Sequence, residues 1–190
     1  MIKLITAPKT EPISLTEAKL HLRVTTHDDD TLISSLIKAA RQSAENFTNR
    51  ALASQVLELI LDDFPEKEIV LPKPPVETVT SIKYTDCEGV ESTLNIADYI
   101  SFLEAEPAVI VPAYGESFPC FNPYLKGAVR IRYTAGYKIS GTEARLIIPE
   151  AIKQALLLII GNYYENREDS QISIPTQAEY LLYQFRIWSL

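Results

Sequence analysis

Pro149-Glu-Ala-Ile-Lys-Gln-Ala-Leu-Leu-Leu-Ile-Ile-Gly-Asn-Tyr-Tyr-Glu-Asn-Arg167 is the stretch on which the fold turns. Proline suits the first turn of a helix, where its missing N–H would have no intrahelical partner. Ala151, Ile152, Ala155, Leu156, Leu158, Ile159 and Ile160 then make the helix apolar nearly all round. Such a helix is buried at the centre of a core, or covered in part by a neighbouring subunit. The apolar block Ala155–Ile160 is far too short to span a membrane. From Gly161 to Arg167 the helix ends in polar and aromatic residues. A buried helix needs partner helices, and the search for them runs outward in both directions.

Two helices are expected upstream. In Ser14-Leu-Thr-Glu17 the serine hydroxyl can cap a helix and the glutamate can reach back to the serine amide. Leu15, Ala18, Lys19 and Leu22 continue at helical spacing, and Val24-Thr25-Thr26 ends the run in residues that favour extended backbone. Asp28, Asp29 and Asp30 follow, where a helix macrodipole favours negative charge. Leu32, Ile33, Leu36, Ile37, Ala40, Ala44 and Phe47 form one apolar stripe behind them. The acidic triplet reads as a helix start rather than a metal loop, since consecutive side chains on a helix diverge. Downstream, Pro175 opens a last helix with Ala178, Leu181, Leu182 and Phe185, expected to end near Trp188.

The middle of the chain is different. Val56–Leu61, Ile69–Leu71, Val79–Tyr84, Val90–Leu94, Tyr99–Phe102, Ala108–Val111 and Ala128–Tyr133 read as strands. Asp86-Cys87-Glu88-Gly89 turns a hairpin between the third and fourth. Val129, Ile131 and Tyr133 alternate with Arg130 and Arg132, a half-exposed strand. Residues 113–126, rich in aromatic residues, Pro and Gly, read as a long loop. The expectation is an α+β fold. Residues 1–53 and 143–190 would form a helical core, and residues 54–142 an inserted antiparallel β-rich subdomain.

Charge follows the same division. Residues 51–142 carry thirteen acidic and seven basic side chains, against six and seven in residues 1–50. The net charge of −7 argues against wrapping nucleic acid by phosphate neutralisation. An acidic duct through which DNA slides is compatible with it. Cys87 and Cys120 lie in no CxxC motif and are too few for a zinc site, so they read as free thiols in a reducing compartment, with a single disulfide as the alternative. The first residues lack the charged-then-apolar pattern of a signal peptide.

Nothing points to catalysis. His21 and His27 stand apart from any metal motif, and no nucleophile elbow or Gly-rich phosphate loop occurs. Asp62-Asp63 and the acids near Glu165 are ordinary neighbours rather than a placed carboxylate pair. No catalytic, cofactor or metal residues are expected. The C-terminal third does gather Tyr137, Tyr163, Tyr164, Tyr180, Tyr183 and Trp188. Tyr and Trp combine a large apolar face with a polar tip and favour interfaces.

Several stretches together resemble one family. They are Pro12-Ile-Ser-Leu-Thr-Glu-Ala-Lys-Leu-His-Leu-Arg23, Asp28-Asp-Asp-Thr-Leu-Ile33, Ala40-Arg41 and Thr48-Asn-Arg-Ala-Leu52. Leu71-Pro-Lys-Pro-Pro-Val76, Val79-Thr-Ser-Ile-Lys-Tyr84, Tyr133-Thr-Ala-Gly-Tyr137, Ile148-Pro-Glu-Ala-Ile-Lys-Gln-Ala-Leu156 and Tyr163-Tyr-Glu-Asn-Arg167 complete the set. In this order they are similar to bacteriophage head–tail connector proteins, from Pro12 to the last helix.

The resemblance implies a non-enzymatic subunit of a ring, twelve-fold like the portal it sits under. Its partners would be further copies of itself, the portal protein, a tail or stopper protein, and double-stranded DNA passing through without sequence-specific binding. No cofactor and no membrane are implied. The subunit would belong to the virion and be made in the host cytoplasm. A ring uses two different patches on each copy. The candidate interface residues are Tyr163, Tyr164, Glu165, Arg167, Tyr183, Arg186 and Trp188. A tail-completion protein is the nearest alternative, then an enzyme with an unrecognised site, then a small binding module of the host.

Overall fold

The structure, a computed structural model, describes residues 1–122, 125–140, 145–166 and 174–188. The chain is α+β, as the sequence suggests. In order the elements are β1 (Ile2–Thr6), α1 (Leu15–Leu22), α2 (Asp30–Thr48), β2 (Gln55–Leu61), β3 (Ile69–Leu71), β4 (Val76–Thr85) and β5 (Glu91–Thr93). After a 3₁₀ turn come β6 (Tyr99–Phe102), β7 (Ala108–Pro112), β8 (Val129–Ala135), β9 (Ile139–Ser140), β10 (Arg145–Leu146), α3 (Glu150–Glu165) and α4 (Thr176–Tyr183). They fall into two compact units, Met1–Lys9 with Ser54–Gly136, and Thr10–Ala53 with Tyr137–Leu190. The first residues, expected in the helical part, thus lie in the sheet unit. The reason is β1, which pairs antiparallel with β2 from Ile2↔Leu59 to Thr6↔Val56.

In the helical unit α3 is the central element. Ile152, Ala155, Leu156, Ile159 and Ile160 are buried against Ala18 of α1, Ile33, Ile37, Ala40 and Ala44 of α2, and Ala178 and Leu182 of α4. The capping box at α1 forms as the sequence dictates: Glu17 N donates to Ser14 Oγ at 3.2 Å, and Ser14 N to Glu17 Oε2 at 2.9 Å. Gly161 sits inside α3, where glycine costs helix stability for want of a side chain. A Cβ there meets only His21, at 3.5 Å and 3.9 Å, which is ordinary contact. Gly161→Ala should therefore raise stability by about 0.5–1 kcal/mol, read as a higher denaturation midpoint at unchanged m.

The start of α2 departs from expectation. Asp29 is the N-cap by position, yet its side chain makes no capping bond. Its Oδ2 instead accepts from the Tyr164 hydroxyl on α3. Lys19 Nζ donates to Asp30 Oδ1 at 2.6 Å, and His27 Nδ1 lies 2.9 Å from Oδ2. The hydrogen bond from Lys19, then that from His27, holds the Asp30 carboxyl below the ordinary value of 3.8. With the folded value depressed, this contribution to stability is present above 3.8 and is lost as pH falls through the lower folded value. Carboxyl NMR should show Asp30 titrating below 3.8, and Lys19→Ala should move the midpoint upward.

The last helix is shorter than expected, ending at Tyr183 rather than near Trp188. Tertiary hydrogen bonds take over the chain beyond it. Ile187 N donates to Thr48 O at 2.8 Å, Asn49 Nδ2 to Ile187 O at 2.9 Å, and Arg50 Nε to Phe185 O. The C-terminal end of α2 thus captures residues 185–187 in place of helical bonds.

The sheet unit holds a five-stranded sheet, β1-β2-β8-β4-β5, and a three-stranded sheet, β3-β7-β6, both antiparallel. In β8, Val129, Ile131 and Tyr133 are buried while Arg130 and Arg132 face outward, as their alternation requires. Tyr133 lies beside Leu57 on β2 and Val79 on β4, and its hydroxyl donates to Pro72 O at 2.8 Å. The loop after β7 folds back on this unit through rings. Phe64 stacks on Phe118 at 4.9 Å between centroids and meets Tyr84 and Phe121 edge-on. Asn122 N donates to Thr85 O at 2.9 Å.

That folding-back corrects the reading of the cysteines. Cys87 and Cys120 are joined in a disulfide, with Cα atoms 6.0 Å apart and a sequence separation of 33. They are not free thiols. The ring cluster brings the loop to the β4–β5 turn, a contact that sequence spacing does not announce.

Candidate functional site

The seven interface candidates separate into two groups. Tyr163 and Tyr164, near the end of α3, are packed partly into the helical core. Tyr163 shares a hydrogen bond with Ser43 Oγ at 2.9 Å, and Tyr164 is tied to Asp29. Both rings and both hydroxyls are engaged within the chain. Glu165, one residue on, is exposed. Arg167 lies outside the described residues.

Tyr183, Arg186 and Trp188 are brought together at the end of α4 and just beyond it. The Arg186 guanidinium carbon lies 5.2 Å from the Phe47 ring centroid and 4.4 Å from that of Trp188. Cation and ring faces attract at these distances. Tyr183 meets Trp188 edge-on at 5.8 Å. Exposure is high for the outer rings: 57% for Tyr183, 61% for Trp188 and 82% for Tyr180. Phe47, Thr176, Glu179, Tyr180, Tyr183 and Arg186 line one open groove of about 540 Å³. Phe47 reads from the sequence as part of the buried stripe of α2. Nothing in the sequence links it to Arg186, because the meeting depends on the capture of residues 185–187.

A second depression, of about 760 Å³, lies in the sheet unit. Its lining mixes Glu58, Asp62 and Asp63 with Lys3, Lys126 and Arg130. The carboxylates include two with structural partners. Asp62 accepts from Gly127 N at 2.8 Å, and Glu58 from Arg132 at 2.9 Å. These bonds tie the sheet strands and the following loop together. Among the described residues no helix is long and apolar enough to cross a membrane.

The arrangement suits contact with another macromolecule better than chemistry on a small molecule. No curated protein matches the chain. Several solved structures match, among them three that cover the whole chain. One is the neck of an empty gene transfer agent particle computed with C6 symmetry, at 27% identity and a TM-score of 0.81, covering 100% of this chain and 97% of that one. Another is the virion of the native gene transfer agent, at 28% identity and 0.79 with the same coverage. The third is the neck of the native particle computed with C12 symmetry, at 27% identity and 0.78, again covering 100% and 97%. The family model described as head completion protein matches residues 11–184. By that match over most of its length, the chain belongs to the head completion protein family, the phage head–tail connectors that its sequence resembles.

Proposed function

We propose that this chain forms a ring in the neck of a phage-like particle, docked under the portal. The ring extends the DNA channel and offers the surface on which the tail or stopper protein assembles. The observation that carries this reading is the full-length likeness to chains from necks computed with C12 and C6 symmetry. In this reading twelve copies sit on a twelve-fold portal, made in the host cytoplasm and retained in the virion. The role is structural: the subunit joins and seals, and DNA slides past it without base-specific contact.

Charge supports the last point. Asp63, Glu66, Glu88 and Glu116 of the sheet unit are exposed. Acids of this unit facing the lumen repel the phosphate backbone and prevent sticking. A producing strain with the gene deleted tests the reading. It should yield heads that package DNA but carry no tails, and a plasmid copy should restore tailed particles. Normal tailed particles from the deletion strain would refute it.

A further inference from the structure

We infer that the groove built around Arg186 receives the outer face of the three-stranded sheet of a neighbouring copy, and that this contact closes the ring. The inference rests on the ring reading above and names the two surfaces that meet.

The groove is an unfinished site. Arg186 Nε is buried and has no hydrogen-bond partner. Among the described residues no carboxylate pairs with this guanidinium; Phe47 and Trp188 flank it instead. A buried donor left unmatched is costly, and a carboxylate arriving from outside would remove that cost. Glu179 lines the same groove without pairing with Arg186. Around the cation stand Tyr180, Tyr183 and Trp188, largely exposed. Trp, Tyr and Arg are the residue types that dominate binding energy at protein interfaces. The chemistry sought is an apolar surface carrying unpaired acids.

The same chain presents one. In the three-stranded sheet Ile69, Leu71, Ala108 and Ile110 point to the buried side. The opposite side should be polar if water were its final neighbour. It is not. Val70 aligns with Val109, Val109 with Phe102, and Val111 with Ile100, giving a continuous apolar face across three strands. Val70 is 43% exposed, Ile100 45% and Phe102 51%. Glu68, just before β3, and Glu104, just after β6, flank this face and are exposed.

A cyclic ring needs two different and complementary patches on every copy. One surface here is aromatic with an unmatched cation; the other is aliphatic with acids at its ends. Each lies within one unit of the chain.

The test uses the full-length chain with its portal, counting bound copies by mass photometry. Wild type should fill the portal. Arg186→Glu, and separately Glu68→Arg with Glu104→Arg, should each raise the half-filling concentration on the order of tenfold. Combining all three reversals should restore most of the loss, as a coupled pair requires. Tyr180→Ser, at the exposed rim, should weaken filling several-fold with an unchanged melting temperature, which separates docking from folding. Filling unaffected by the reversals, or no recovery in the combined variant, overturns the inference. Wild type that leaves the portal bare overturns the ring reading itself, so the two failures are distinct.

Discussion

Glu45→Ala should destabilise the chain by about 3–5 kcal/mol, the cost of breaking a buried ion pair from one side. Arg41 and Glu45 lie one turn apart on α2, with side chains only 7% and 10% exposed. Arg41 Nη1 donates to Glu45 Oε2 at 2.8 Å, and Arg41 Nε to Glu11 Oε2 at 2.7 Å. The other oxygen of Glu45 accepts from Leu52 N at 2.8 Å, pinning the buried turn after the helix. Alanine takes a counter-ion from Arg41 and the acceptor from the Leu52 amide, both largely shielded from water. For a chain of this size the melting temperature should drop by roughly 6–20 °C. The exposed pair Lys83–Glu91, at 2.8 Å but 48% and 54% exposed, is the control. Lys83→Ala should cost far less, because water screens that pair. Equal losses in the two variants would show that burial is not what gives the α2 pair its weight.

The second large effect belongs to the sheet unit. Tyr133→Ala should cost about 3–5 kcal/mol, since it empties the space of a fully buried ring. Tyr133→Phe keeps the ring and removes only the hydroxyl. It should cost about 1 kcal/mol, the net worth of the hydrogen bond to Pro72 O. Burial pushes the Tyr133 hydroxyl well above its usual range, so it stays a donor at any ordinary pH. Chemical denaturation of both variants gives the two numbers. A Phe variant as unstable as the Ala variant would move the weight from ring packing to the hydroxyl.

Much of the architecture was legible because local and tertiary demands agree. Ser14 and Glu17 cap α1 through reciprocal bonds three residues apart. Val129, Ile131 and Tyr133 alternate with two arginines because β8 is half-exposed. The apolar girth of Ala151–Ile160 required a central helix, and α3 is one. The misreadings share another cause, a distant partner that redirects a local signal. Asp29 is drawn to Tyr164 instead of capping α2. Ile187 bonds to Thr48 and so ends α4 early. Rings around Phe64 bring Cys120 to Cys87. β1 is a short strand, and its place in the sheet comes from the edge that β2 offers it.

The candidate interface was legible in part for the same reason. Tyr183, Arg186 and Trp188 are neighbours in sequence, and the chain end keeps them neighbours in space. Phe47 completes the site from another helix, which no spacing rule reveals. Tyr163 and Tyr164 carry the residue type of an interface but face a core already waiting for them. In the proposed ring the contact therefore centres on the groove beyond α4, and Glu165 is the exposed member of the earlier helix end.

The account stands on assembly. The most direct measurement is single-particle electron microscopy of the purified chain mixed with its portal. The account predicts a closed ring of twelve copies seated on one face of the portal, with an open central channel. A chain that stays monomeric and leaves every portal bare would contradict it.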